Sequence, residues 1–329
     1  MAQTCERMWP GLAVGFGLAA GATAMWHLLG KPVFASPMIL AMGAGIALRN
    51  AGIAGSGLTP GNAVSLRPVL RTGIVLLGFR LTLGDLAALG MVGIVLIVAL
   101  VAATFWLTRR VGRWLGVAPG LSELIAAGTS ICGASAVLGV NTVTRAQDED
   151  VAYAIACVTI FGSLAMLVDP MLMPVLGFDA HAYGLWVGAS LHEVAQAVGA
   201  GMAAGETAGE TATIAKLGRV VLLAPLILIL GVGRPHEGPR GLPVPLFVLG
   251  FLGAVVVNTV LPLPQGVVAG VLDLSGFLLA MALAAMGLET HLGALRRKGL
   301  RPLLQGAFGW LFISGTAACA VAILAPGLR

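Results

Sequence analysis

The run Gly128-Thr129-Ser130-Ile131-Cys132-Gly133-Ala134-Ser135-Ala136 sits midway along an apolar segment extending from 121 to 144. Its two glycines, two serines and one threonine weaken a helix at its centre. A break at that depth frees backbone N–H groups, and the positive dipole end of the second half then faces a cavity. Gly128, Thr129, Ser130, Cys132, Gly133 and Ser135 are therefore the candidate substrate-binding residues, the Ser130 and Ser135 hydroxyls completing a cradle for an anion. The competing reading is an unbroken helix whose small residues permit close packing. Gly-interrupted apolar segments mark transporter sites, which favours the break.

The flanking chain is as apolar as this segment. Of 329 residues, 58% are apolar and only 10% charged, with a mean hydropathy of +0.97. A soluble domain carries about a quarter charged residues, so the chain has too little charge to cover a globule in water. Lipid is the remaining solvent. The 47 glycines lie within apolar runs, where small residues let membrane helices approach closely. Apolar segments fall at 11–30, 36–50, 63–79, 86–108, 121–144, 150–175, 182–204, 214–232, 243–262, 266–287 and 302–325. The expected fold is an all-α membrane protein, one polytopic domain over 1–329, with about eleven transmembrane helices and at least one discontinuous helix. The second and third segments are short enough to be tilted, re-entrant or partly unwound. Arg7 ahead of an apolar stretch and Ala22-Thr23-Ala24 resemble a signal peptide, but the run continues through Leu29 and is long enough to span.

Basic residues set the orientation. With eleven spans and a cytoplasmic N-terminus, the inner side receives Arg7, Arg49, Arg67, Arg71, Arg109, Arg110, Arg113, Arg234, Arg240, Arg296, Arg297, Lys298 and Arg301. The outer side or its helix ends receive Lys31, Arg80, Arg145, Lys216, Arg219 and Arg329, with the acidic run Asp148-Glu149-Asp150. The C-terminus is then outside. The net charge of +5 is a loop property, and no aromatic interleaving points to nucleic acid. A faint echo lays Leu77–Leu86 over Met286–Leu295 at opposite ends of their helices, the pattern of an inverted repeat.

A second polar stretch, Ser190-Leu191-His192-Glu193-Val194-Ala195-Gln196, lies within the seventh segment. Ionisable residues in the membrane are expensive and ask for a function. On one continuous helix His192 and Gln196 share a face, with Glu193 one step round. His192, Glu193 and Gln196 are the candidate proton- or ion-coupling residues, Glu193 carrying the proton and His192 relaying it. The alternative is a structural polar clamp between helices. Position 196 is Gln, so this is not the H-E-x-x-H zinc motif, and no metal site is expected. Arg80, Asn141, Asn258 and Asp273 are weaker pathway candidates, and Asp169, before Pro170, marks a helix end near the inner interface. Cys5, Cys132, Cys157 and Cys319 fit neither a disulfide framework nor a zinc site.

The runs Leu70–Leu81, Ser130–Ala136, Ile160–Met166 and His192–Gln196 resemble the YeiH family of bacterial membrane proteins, with the likeness covering most of the chain from about residue 36. That family is often labelled as sulfate exporters. The resemblance implies a secondary transporter of an inorganic or small organic sulfur oxyanion in the bacterial inner membrane. It carries over no established substrate ligands, and Asn141 departs from the apolar residue expected there. By analogy alone the likeness extends to bile-acid-symporter-like folds with crossed broken helices.

The function expected from these observations is a secondary anion transporter or exporter coupled to protons or sodium. Its partners are a small anionic solute and the bilayer, with oligomerisation left open and no cofactor expected. No G-x-x-x-x-G-K-[ST] run is present, so the chain carries no P-loop. One alternative is a passive anion channel, which needs a ring of charged groups or carbonyls. Another is an intramembrane enzyme using His192 and Glu193, for which local spacing assembles no nucleophile–base–orienter set and no catalytic residue.

Overall fold

The computed structural model describes residues 2–30, 36–88, 90–232, 246–261, 263–290 and 299–324. Among them every regular element is helical: α1 (Ala2–Leu28), α2 (Pro37–Asn50), α3 (Thr59–Val64), α4 (Leu70–Leu77), α5 (Leu83–Ala88), α6 (Gly90–Trp114), α7 (Pro119–Ser130) and α8 (Ala134–Thr144). The second half comprises α9 (Asp148–Leu176), α10 (Ala180–Ser190), α11 (Val194–Ala203), α12 (Glu206–Val221), α13 (Leu223–Gly231), α14 (Leu246–Val260), α15 (Gln265–Glu289) and α16 (Leu300–Leu324). Six of the described helices or helix runs are long and apolar enough to cross a membrane: α1 from Met8, α6, α9, the α12–α13 run, α15 and α16. Their outer faces carry exposed Met91, Ile94, Val95, Val98, Leu311 and Ile323, a surface that suits acyl chains and not water.

The long helices run in both directions between two ends of the molecule. At one end the Arg109 guanidinium meets Glu123 at 3.3 Å, and Asn62 Nδ2 donates to Glu289 Oε1 at 2.7 Å. At the other, Arg80 meets Glu206 at 3.4 Å and Glu210 at 3.9 Å. Between α3 and α4 the chain makes a π-helical turn at Ser65–Val69 around Pro68, so the third apolar segment is partly unwound. Asp169 is not at a helix end: α9 runs on through Pro170 and Pro174 to Leu176, and the carboxyl group is buried.

The two broken segments do not cross the molecule. The first, 121–144, folds back on itself. Glu123 Oε1 accepts from the Thr144 hydroxyl at 2.6 Å, although a straight helix would hold these residues about 30 Å apart. The second, 182–204, does the same from the opposite end. The Tyr183 hydroxyl donates to Ala200 O at 3.3 Å, and Gly184 and Gly201 both lie against Ala208 of α12. Both segments are helical hairpins, α7–α8 rising from the Arg109 end and α10–α11 from the Arg80 end. The expectation of eleven crossings is corrected for these two runs. Arg145, in a left-handed conformation after α8, and Asp148–Asp150 thereby stand at the Arg109 end, opposite to their expected place. A cross-link tests the fold-back directly. A Cβ on Gly120 would lie 3.1 Å from that of Ala146, so Gly120→Cys with Ala146→Cys is expected to oxidise to a disulfide. Mass spectrometry of the linked peptide reads it, and a continuous helix would give none.

Of the repeat echo, Leu77–Arg80 and Met286–Glu289 lie at opposite ends of the antiparallel pair α4 and α15. Residues 291–295 of the second copy lie outside the described residues, as do Lys31, Arg234, Arg240, Arg296–Lys298 and Arg329.

Candidate functional site

The two hairpin tips, Ile131-Cys132-Gly133 and Leu191-His192-Glu193, meet in the interior. Each tip ends one helix and starts another, so four helix ends with unpaired backbone groups converge there. The carbonyls at the ends of α7 and α10 are met by cations from α12. Lys216 Nζ donates to Ile131 O at 2.5 Å and Leu191 O at 2.6 Å, one ammonium group joining both tips. Arg219 donates to Thr129 O, Ser130 O, Gly188 O and Leu191 O at 2.7–3.3 Å. Both side chains are fully buried, which corrects their expected position as anchors at the outer interface. Positive charge at helix C-terminal ends is the favourable sign.

The N-terminal ends of α8 and α11 are met by a single acid. Glu193 Oε1 accepts from Ala134 N at 2.6 Å. The same carboxylate caps its own helix by accepting from the Gln196 backbone N–H, while Gln196 Oε1 accepts from Glu193 N at 3.0 Å. Gly133 permits this contact. Its φ of +62° suits glycine, and a Cβ there would overlap the Glu193 carboxylate. His192 and Gln196 do not share a helix face as expected, because α11 starts only at Val194 and His192 belongs to the extended tip. His192 is fully buried, and neither of its ring nitrogens has a hydrogen-bond partner among the described residues.

Beneath the tips lies a cavity of about 460 Å³ on the Arg109 side. Cys132, Ala134 and Ser135 of the first hairpin and Glu193 and Val194 of the second form its floor. Its walls include Arg67, Arg71 and Ile74 from the α3–α4 rod, Ala156 and Thr159 from α9, and Met286 and Glu289 from α15. A smaller pocket of about 160 Å³ lies at the Arg80 end, bounded by Asp85, His181, Glu210 and Thr211.

Of the residues singled out in the sequence, Cys132, Ser135 and Glu193 line the main cavity. Gly128, Thr129 and Ser130 do not. Gly128 faces Val158 and Val137, the Thr129 side chain is buried, and the Ser130 hydroxyl donates to Ala127 O of its own helix. Gln196 Nε2 donates to Ser163 Oγ and Met286 Sδ, behind the tip. The four pathway candidates stand apart from the cavity. Arg80 is ion-paired at the far end, and Asn141 Oδ1 accepts from Ala146 N at the base of the first hairpin. Asn258 donates to Leu81 O, and Asp273 is exposed on α15. Sequence reasoning missed Lys216 and Arg219 as interior residues and Arg67 and Arg71 as cavity-lining ones. The signal was available for the first two, since a Lys and an Arg three apart inside the run 214–232 are costly in lipid unless partnered. No group of three or more His, Cys, Asp or Glu side chains able to hold a metal occurs among the described residues.

A family model described as conserved hypothetical protein 698 matches residues 10–306. The chain is 39% identical over 277 residues to a UPF0324 membrane protein of Pseudomonas aeruginosa, covering 79% of this chain and 78% of that protein. It is 39% identical over 260 residues to the UPF0324 inner membrane protein YeiH of Escherichia coli K12, covering 76% and 74%. It is 38% identical over 280 residues to a UPF0324 membrane protein of Corynebacterium glutamicum, covering 83% and 81%. No solved structure matches the chain.

Proposed function

The chain belongs to the conserved hypothetical protein 698 family, alongside the YeiH membrane proteins, and on that premise we propose that it is a secondary transporter of a small inorganic or sulfur-containing anion. The observation that carries this reading is the meeting of two oppositely entering hairpins over a cavity on the Arg109 side. Non-helical backbone at membrane depth is tolerated where protein or a water-filled cavity surrounds it, and such breaks form the substrate sites of secondary transporters. Hairpins that enter from opposite ends provide two gates to one site. The reading has nine crossings and two re-entrant hairpins, with the inverted relation residing in those hairpins.

Arg49, Arg109, Arg110, Arg113, Arg145 and Arg301 lie at or near helix ends on the Arg109 side, so positive-inside bias makes that end cytoplasmic. The N-terminus is then inside, the C-terminus outside, and the cavity lies on the cytoplasmic side, the side from which an exporter loads. Glu193 is the coupling residue, for protons or sodium. Its carboxylate occupies the positive ends of α8 and α11, so neutralising it frees those N–H groups for a substrate anion and links occupancy to the coupling ion.

Counterflow of labelled sulfate and sulfite in proteoliposomes, with and without a pH gradient, tests the reading. Saturable, gradient-sensitive uptake is expected, and Glu193→Gln is expected to fold and lose the response to the gradient. Uptake unaltered in Glu193→Gln would remove the coupling role. Unitary current steps in a planar bilayer would replace the transporter with a channel.

A further inference from the structure

Arg67 and Arg71 lie one turn apart on the cavity wall, and both are exposed. Their depth is fixed by a neighbour. Ser275 Oγ, near the middle of α15, donates to Gly73 O at 2.7 Å, which places Arg71 close to mid-height and Arg67 one turn nearer the Arg109 end. An arginine at the surface of a membrane protein ordinarily snorkels to the headgroups. At the depth of Arg71 the headgroups are roughly 15 Å away, beyond the reach of one side chain, and Arg67 lies one turn nearer to them. Neither guanidinium has an ion-pair partner among the described residues, and the two acids that share the cavity are engaged elsewhere. Glu193 accepts from Ala134 N and from the Gln196 backbone, and Glu289 accepts from Asn62. Two planar donor forks, four residues apart and lining one cavity, match the oxygens of a small oxyanion.

We infer that Arg67 and Arg71 are the substrate ligands of this cavity, and that the substrate they select is a small oxyanion held between their guanidinium groups and Ser135. The inference rests on the anion-transport reading and supplies the recognition that the hairpin tips lack, because Glu193 already occupies their N–H groups. Ser135, exposed in the same cavity, is the reporter position. In a protein whose native cysteines are replaced by alanine, Ser135→Cys is reacted with anionic and cationic methanethiosulfonate reagents. Relative to a free thiol, the anionic reagent is expected to gain about tenfold over the cationic one, as a positively lined cleft dictates. Adding Arg71→Gln is expected to abolish that gain, and Arg71→Lys to retain it. A preference unchanged by Arg71→Gln, or one for the cationic reagent, would overturn the inference.

A second measurement keeps the native cysteines. Sulfate, sulfite or phosphate is expected to raise the thermal midpoint of the detergent-solubilised protein, and the rise is expected to vanish in Arg71→Gln and in Arg71→Lys, which lacks the fork. No rise with any of the three would also overturn it. Counterflow that persists in Arg71→Gln leaves the transport reading standing and removes the arginines. Anion selectivity at position 135 without counterflow keeps the arginines and removes transport.

Discussion

Arg219→Met is expected to unfold the hairpin junction. The guanidinium is the donor to Thr129 O, Ser130 O and Gly188 O, and shares Leu191 O with Lys216. These carbonyls end α7 and α10, where no helical N–H follows. A buried acceptor left without a donor costs about 1–3 kcal/mol, and methionine strands several at once while also removing the positive charge from two helix C-terminal ends. The total is comparable with the roughly 5–15 kcal/mol that separates a folded domain from its unfolded chain. Loss of the monodisperse peak after mild heating in detergent, by fluorescence-detected size exclusion, is the readout. Arg110→Met is the control, since Arg110 is exposed and sits over the Trp106 and Trp114 rings at 5.8 and 5.9 Å. Arg219→Lys is expected to fall between them, because an ammonium lacks the fork that spans both tips. Equal midpoints for Arg219→Met and Arg110→Met would mean that the tips are held by packing alone.

Arg219 also shows where the sequence stops being informative. The helical membrane class follows from hydropathy and length, and the break at Ile131–Gly133 follows from glycine and hydroxyl residues in the middle of an apolar run. Whether a broken helix continues or turns back does not follow, since both need the same weak residues. The decision is made by contacts such as Glu123 with Thr144, which exist only after the fold-back. The second break has no glycine or proline between Ser190 and Gln196, so its composition reads as continuous helix. What opens it is the partner hairpin, whose α8 N-terminus takes the Glu193 carboxylate. Lys216 and Arg219 look like interface anchors because local pattern registers their charge and not the carbonyls that receive it, which are distant in the chain. Arg71 is similar. Its depth is set by Ser275 on α15, a neighbour that no local window contains.

Gly133→Ala is expected to abolish transport and lower the thermal midpoint, for a reason confined to one atom. At φ +62° and ψ −128° the backbone occupies a region that L side chains rarely enter. Holding alanine there costs about 1–3 kcal/mol. The added methyl also overlaps the Glu193 carboxylate, so Glu193 must leave Ala134 N, and an N-cap lost in this way costs about a further 0.5–2 kcal/mol. The two hairpins touch through this contact, so the substitution separates the tips as well as straining one of them. Gly43→Ala in α2 is the comparison, because a Cβ there meets open space at ordinary helical angles and alanine favours a helix over glycine. Gly43→Ala is expected to match or slightly exceed the parent in stability and to leave counterflow intact. If Gly133→Ala behaved like Gly43→Ala, the tips would tolerate a displaced Glu193, and coupling through that carboxylate would have to be abandoned. If Gly133→Ala stayed folded but lost gradient-driven counterflow, as Glu193→Gln is expected to do, the contact between the hairpins would itself be the coupling element.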